Sequence, residues 1–235
     1  MYPHDYPLQR VLPRDLGMFV TDYYRQHGIE TISNETVVRF EDQGGLIVAH
    51  TRRGNSITSQ TVFAGVGIDP HDELAEAAGL AVGNGIEVDE YARTSNPDIY
   101  AAGDVAEFPY LALGRSARIE HWDHAQHHGR AAGANMAGAG LPYTHVPMFY
   151  SDLFDLGFEA VGDLDSSLTT DAIWKEEFRE GIVFYLLDDV IRGVLLWNAW
   201  GLVDWGRERV REAKPTTHEE REAMVAEAAE KTQTR

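Results

Sequence analysis

An α/β fold that passes into an antiparallel sheet is predicted for this chain of 235 residues, and three observations predict it. Residues 99–101, Ile-Tyr-Ala, form an apolar run too short for a helix. Gly103 closes the run and the carboxylate of Asp104 follows, in the position where open α/β sheets present their ligand-binding groups. Ahead of it, a helix-periodic stretch gives way to short runs rich in β-formers and separated by turn residues. Beyond Gly138-Ala139-Gly140-Leu141-Pro142 the composition shifts toward aromatic and strand-forming residues, as an antiparallel sheet requires.

Leu16, Phe19, Val20 and Tyr23 lie at helical spacing within 13–27, and Gly28 stands at the expected stop. A short strand is expected at 29–32. Strands at 36–40, 46–51 and 56–63 form a meander, its turns supplied by Asp42-Gln43-Gly44-Gly45 and Arg52-Arg53-Gly54-Asn55. The small residues and Pro70 of 62–70 suit a crossover between domains. A short helix at 71–80 and a strand at 86–88 lead to the Gly103–Asp104 segment. A loop follows at 105–118, then a helix at 123–137 with Gly129, Ala132, Gly133, Met136 and Ala137 along the side expected to pack closely. Strands are expected at 158–161, 172–178, 182–187 and 191–197, with a hairpin turn at Asp188-Asp189. A helix covers 201–213. Thr217 and Glu220 have capping-box spacing before a Glu/Ala-rich segment that reads as a loosely docked helix or a frayed tail.

Composition narrows the chemistry. With 43% hydrophobic and 25% charged residues the chain is globular. It has no cysteine, so it contains no disulfide, thiolate metal site or thiol nucleophile. Its 38 acidic against 20 basic residues give a net charge of −18. That surface repels phosphate backbones and anionic lipid, which disfavours nucleic acid and membrane as partners. No apolar run reaches the length of a bilayer span, and the first residues have neither a basic nor an apolar leader pattern. The expected location is the cytoplasm.

The run T-S-N-P-D-I-Y-A-A-G-D at 94–104 resembles the second FAD-contacting motif of flavoproteins built from two dinucleotide-binding domains, the pyridine nucleotide-disulfide oxidoreductase superfamily. R-I-E-H-W-D-H-A at 118–125, the Gly129-Arg130, Gly133 and Asn135-Met136 pattern after it, M-F-Y-S-D-L at 148–153 and G-F-E-A-V-G at 157–162 are similar to its apoptosis-inducing-factor-like branch. The resemblance implies parts of two Rossmann-like domains followed by an α+β C-terminal domain. Residues 1–68 would be the back half of an NAD-binding domain, 69–140 the last part of a FAD-binding domain, and 141–235 a dimerisation domain with a helical tail. No G-x-G-x-x-G occurs in the chain; Gly65-Val66-Gly67 and Gly83-Asn84-Gly85 have only its first half. The family's two pyrophosphate loops are therefore expected ahead of Met1, in a further portion on the order of 150 residues.

From the resemblance follow the cofactors, FAD and NAD(P)H, and a reaction in which hydride passes from NAD(P)H to flavin and electrons then pass to an acceptor, a small redox protein, a quinone or oxygen. Among the site residues, Asp104, after Gly103 and before Val105, would hold the ribityl chain; the alternative for the bare residue is a turn or cap Asp. Glu120, His121 and Trp122, at a helix start, would lie beside the isoalloxazine, with capping or core roles as the alternative. Gly67 belongs to the crossover that passes near both cofactors. Tyr150 stands where the branch more often has Trp, near flavin and nicotinamide. His124, His127 and His128, with Glu120 and Asp123, raise a metal reading; without an H-E-x-x-H pattern they read instead as solvated helix histidines. No residue is assigned a catalytic proton transfer. A second class of function stays open, a non-catalytic binding or dimerisation module derived from such a flavoprotein.

Overall fold

The computed structural model describes residues 1–233, which divide into two compact units. The first comprises Met1–Ile68 with Asp165–Ser167. Its helix α1, Arg14–Gln26, buries Leu16, Val20 and Tyr23, which lie at i, i+4 and i+7 and so share one stripe. The helix ends in paired bonds from Gly28 N–H to the Arg25 carbonyl and from Ile29 N–H to the Tyr24 carbonyl, a Schellman closure that satisfies two terminal carbonyls. Residues 29–32 are irregular rather than a strand. Strands β1 (Val37–Asp42), β2 (Ile47–Thr51) and β3 (Ser56–Ser59) form an antiparallel sheet in chain order. The expected third strand is shorter than 56–63, because beyond Ser59 no neighbour pairs with the backbone. Glu35 is buried in this unit. Burial would raise its pKa, but the Thr36 and Arg53 N–H groups and the Thr51 hydroxyl all donate to it and hold it below the usual carboxylate value.

The second unit, Asp69–Leu164 with the chain from Leu168 onward, holds a short helix α2 (Glu73–Ala77) and a four-stranded sheet. That sheet is β4 (Val82–Gly83), β5 (Gly85–Glu87), β6 (Ala106–Tyr110) and β7 (Arg115–Arg118) in that order, with only β5 and β6 parallel. The expected loop at 105–118 is therefore a hairpin. Its alternation is visible in the burial of Ala106, Phe108 and Tyr110 and is masked in sequence by Pro109. Conversely, residues 99–101 join no sheet; Tyr100 makes a single bridge to Arg93. Asp104 thus lies in a tight turn leading into β6, not beyond a strand's end.

Helix α3, Trp122–Met136, follows. Five antiparallel strands come next, β8 (Met148–Leu153), β9 (Leu156–Gly162), β10 (Thr169–Glu176), β11 (Glu180–Leu187) and β12 (Val190–Trp197), ordered β10-β11-β12-β9-β8. Asp188 and Asp189 turn the β11–β12 hairpin with φ of 51° and 61°, the left-handed pair a two-residue hairpin turn needs. Strands β11 and β12 are buried almost end to end, which explains their unbroken apolar runs. Phe108 and Tyr110 of the small sheet, Phe184, Val194 and Leu196 of the large one and Val210 of helix α4 (Val203–Glu212) share one core. Helix α5, His218–Gln233, starts with the predicted capping box, Thr217 N–H to Glu220 at 2.8 Å and Glu220 N–H to Thr217 at 3.3 Å. It is docked, since Arg221 is buried and its Nε donates to Asp171 at 2.6 Å.

Of the small residues expected to pack closely on α3 only Ala132 is buried; Gly129, Gly133, Met136 and Ala137 are exposed. The buried face is Asp123, His124, His128, Ala132 and Asn135, and added Cβ atoms at Gly129 and Gly133 would meet nothing within 4 Å. Gly193, opposite Gly162 across β12 and β9, is the reverse case: a Cβ there would collide with the Asp163 carbonyl. Gly193→Ala is expected to destabilise by about 1–3 kcal/mol through overpacking. Gly133→Ala should stabilise by roughly 1 kcal/mol through helix propensity. Urea unfolding midpoints decide both.

Candidate functional site

The loop ahead of Gly103 is closed by Thr94, whose hydroxyl donates to the Asn96 and Ile99 carbonyls at 3.0 Å each. It delivers Gly103 with φ +78°, a left-handed conformation that a side chain adopts only at a cost of ~1–2 kcal/mol. The Gly103 N–H donates to Nδ1 of the fully buried His128 at 3.3 Å. Asp104 then points its side chain to the surface, and Val105 is half-buried.

Arg118, at the end of β7, ties this turn to the next predicted group. Its Nη1 donates to the Asp104 carbonyl at 3.0 Å and pairs with Glu120 at 2.7 Å, while its Nε donates to Asn84 at 3.3 Å. Sequence reasoning passed over Arg118. The usable signal was its i, i+2 spacing from Glu120, which in extended backbone puts both side chains on one face.

His121 is the N-cap of α3, with φ −116° and ψ 137°, yet its side chain makes no capping bond. Its Nδ1 is buried without a partner, and its ring lies 4.7 Å from Phe149. Burial lowers its pKa, opposed by the charges of Asp104, Asp123 and Glu120, so Asp104 and Glu120 both act on this imidazole. Trp122 is 74% exposed, which removes its core reading. Asp123, the first-turn acid, caps no amide of its own helix and instead accepts from Met148 N–H at 3.1 Å, His145 Nε2 at 2.6 Å and Arg207 Nη2 at 3.1 and 3.2 Å. The first turn of α3 therefore carries no side-chain cap and its N–H groups remain donors at the positive end of the helix dipole. Gly103, Asp104, Glu120 and His121 are brought together. Tyr150, 64% exposed, alternates with Phe149 along β8 and so faces away from His121. Gly67 lies in the first unit, with φ +93° in an exposed extended segment.

Of the three helix histidines only His127 reaches solvent, its side chain 40% exposed. His124 and His128 are fully buried, with centroids 4.9 Å apart. Phe108 stacks at 4.6 Å from His124, and Tyr143 lies 4.6 Å from His128. Burial, with the neighbouring His128, pushes His124 down to about 3; burial pushes His128 down to about 4. Neutral His128 accepts from Gly103 at Nδ1, which assigns its proton to Nε2. Among the described residues Asp123, His127 and His145 could present ligand atoms within 4.8 Å of one another. Yet Arg207 already supplies the cation, and His127 Nδ1 lies 2.8 Å from the Asp123 carbonyl, where it donates its proton. This set is satisfied as an ion-pair network.

Two family models match the chain. Residues 1–129 match pyridine nucleotide-disulphide oxidoreductase, and residues 132–177 match the C-terminal region of mitochondrion-associated apoptosis-inducing factor. The chain belongs to the pyridine nucleotide-disulphide oxidoreductase family. Within that family it is 29% identical over 226 residues to apoptosis-inducing factor 1, mitochondrial, of Dictyostelium discoideum, covering 89% of this chain and 42% of that protein. It is 36% identical over 165 residues to the ferredoxin–NAD(+) reductase component of the anthranilate 1,2-dioxygenase system of Burkholderia cepacia, covering 69% and 40%. The structure of a ferredoxin reductase from Rhodopseudomonas palustris superimposes with a TM-score of 0.84 at 26% identity, over 93% of this chain and 54% of that one. Putidaredoxin reductase, in its covalent complex with putidaredoxin, gives 0.82 at 28%, over 91% and 52%. The fold therefore matches part of these reductases. The chain spans 42% and 40% of the two curated relatives.

The buried histidines set an acid limit on stability. Unfolded, each takes a proton near 6.5; folded, only near 3 or 4. The unfolded state therefore binds more protons between those values, so stability rises with pH across the window and is complete above it. The thermal midpoint should fall as pH drops from about 6.5 to about 4. His124→Phe, which keeps the stack and removes one titration, should make that fall shallower; an unchanged slope would contradict the assignment.

Proposed function

We propose that the chain is the C-terminal portion of a FAD-dependent NAD(P)H oxidoreductase and forms one side of its flavin site. The observation that carries this reading is the uncapped first turn of α3 beside His121, whose buried Nδ1 lacks a partner, facing the Asp104 and Glu120 charges. These groups fit FAD. The exposed Asp104 carboxylate would accept hydrogen bonds from ribityl hydroxyls. Gly103 and Val105 would set the backbone approach, and Glu120, His121 and Trp122 would border the isoalloxazine. The free amides and the helix dipole would favour negative charge on the pyrimidine edge. FAD, when bound, supplies the two-electron centre that accepts hydride from NAD(P)H and passes electrons on. The chain's own residues bind, orient and tune it. His121, uncharged at neutral pH through burial, would offer a hydrogen bond without adding a fixed charge. Gly67 and Tyr150 are each proposed as cofactor-binding residues.

The relatives named as ferredoxin and putidaredoxin reductases support a small redox protein as electron acceptor; quinone and oxygen are the alternatives. The reading extends to a cytoplasmic homodimer built through the C-terminal domain. No helix among the described residues is long and apolar enough to cross a membrane.

Titrating the chain with FAD and following flavin fluorescence tests the reading. Saturable quenching is expected, with bleaching at the flavin bands once NADH is added to the complete protein. Asp104→Ala should weaken FAD binding by roughly 10- to 100-fold, the loss of one or two charge-assisted hydrogen bonds. No quenching by a folded chain would favour the non-catalytic module.

A further inference from the structure

We infer that Asp123 is a positioning residue: its carboxylate pins the first turn of α3 to the start of β8 and thereby holds His121 against Phe149. This rests on the flavin reading for its bearing on function, though not for its geometry. The carboxylate binds two backbone elements and a third anchor. It belongs to α3, it accepts the N–H of Met148, the first residue of β8, and it takes the guanidinium of Arg207 from α4. Arg207 is itself fixed, with Nε donating to the Val146 carbonyl at 2.9 Å and Nη1 to Asp204 at 2.9 Å. His145 Nε2 closes the node at 2.6 Å, and the His127 ring stacks on His145 at 3.8 Å.

The two residues flanking this node are the ones in ring contact. Phe149 immediately follows Met148, His121 lies two residues before Asp123, and their rings are 4.7 Å apart. An acid in the first helical turn ordinarily serves the amides of its own helix. Here it is spent on three other segments, which leaves the amides open and fixes where they point. Burial acts to raise the pKa of this carboxylate; the hydrogen bonds from His145 and Met148 and the Arg207 charge outweigh it and hold it below the usual carboxylate value. Asp123 and Arg207 are 11% and 14% exposed at their side chains, so the pair is held away from competing water.

The test is the His121 ring resonance in the 235-residue chain, displaced by the ring current of Phe149. Phe149→Leu gives the full size of that displacement. Asp123→Asn, which keeps the shape and an acceptor but not the charge, and Arg207→Met should each lose at least about half of it, since the fixed geometry depends on the charge pair. Arg221→Met breaks a comparably buried pair on α5 and serves as the control for general loosening. It should leave His121 in place. His121 unmoved in both node variants, or moved as far by Arg221→Met, would overturn the proposal. If the unsubstituted chain binds FAD, Asp123→Asn should weaken binding by roughly 10-fold through misplaced groups. Absence of FAD binding by the unsubstituted chain would sink the flavin reading alone, and the resonance would still decide the role of Asp123.

Discussion

Everything at the site depends on where one carboxylate goes. Asp123 occupies the first turn of α3 and satisfies Met148, His145 and Arg207 instead of its own helix. The consequence is an unoccupied set of helix amides held in a fixed direction. On the other side, Gly103 reaches the same helix through His128, so the Asp104 turn is referenced to α3 as well. Arg118 completes the frame by holding the Asp104 carbonyl and the Glu120 carboxylate at once. These polar contacts together define the relative positions of the groups that would touch a ligand.

The core beneath this frame is unusual in being partly imidazole. His124 and His128 pack between Phe108 and Tyr143 as aromatic surface, each with one nitrogen satisfied and one buried without a partner. Such rings are tolerated only uncharged. The site is therefore built on groups that stay neutral through the physiological range, beneath a surface rich in carboxylates. At the site, charge is carried by Asp104, by the Arg118–Glu120 pair and by the Asp123–Arg207 pair.

Much of this was legible in the sequence, for identifiable reasons. Helices α1, α3 and α4, the β11–β12 hairpin and the capping box at Thr217–Glu220 follow from local periodicity and turn chemistry. The run at 94–104 pointed to Asp104 and Gly103. Local rules failed where tertiary partners decide. Residues 99–101 have strand composition but join no sheet, with an isolated bridge to Arg93 and single backbone bonds with Ala92 and Thr94. Residues 106–118 pair as a hairpin despite Pro109. The buried side of α3 follows its histidines, because a glycine has no surface to bury while an imidazole between two aromatic rings does. His145 and Arg207 were invisible as site residues, since nothing in spacing alone reveals that residues 123, 145 and 207 converge.

The central claim is that the Asp104 turn and the open amides at the start of α3 form one face of a flavin pocket. Hydrogen exchange resolved to single amides, with and without FAD, tests it most directly. The account predicts slowed exchange at residues 104–105 and 122–124 on FAD addition, with the β11–β12 hairpin unchanged. Saturating FAD that leaves those amides exchanging at their free rate, or that protects a different surface, would contradict it.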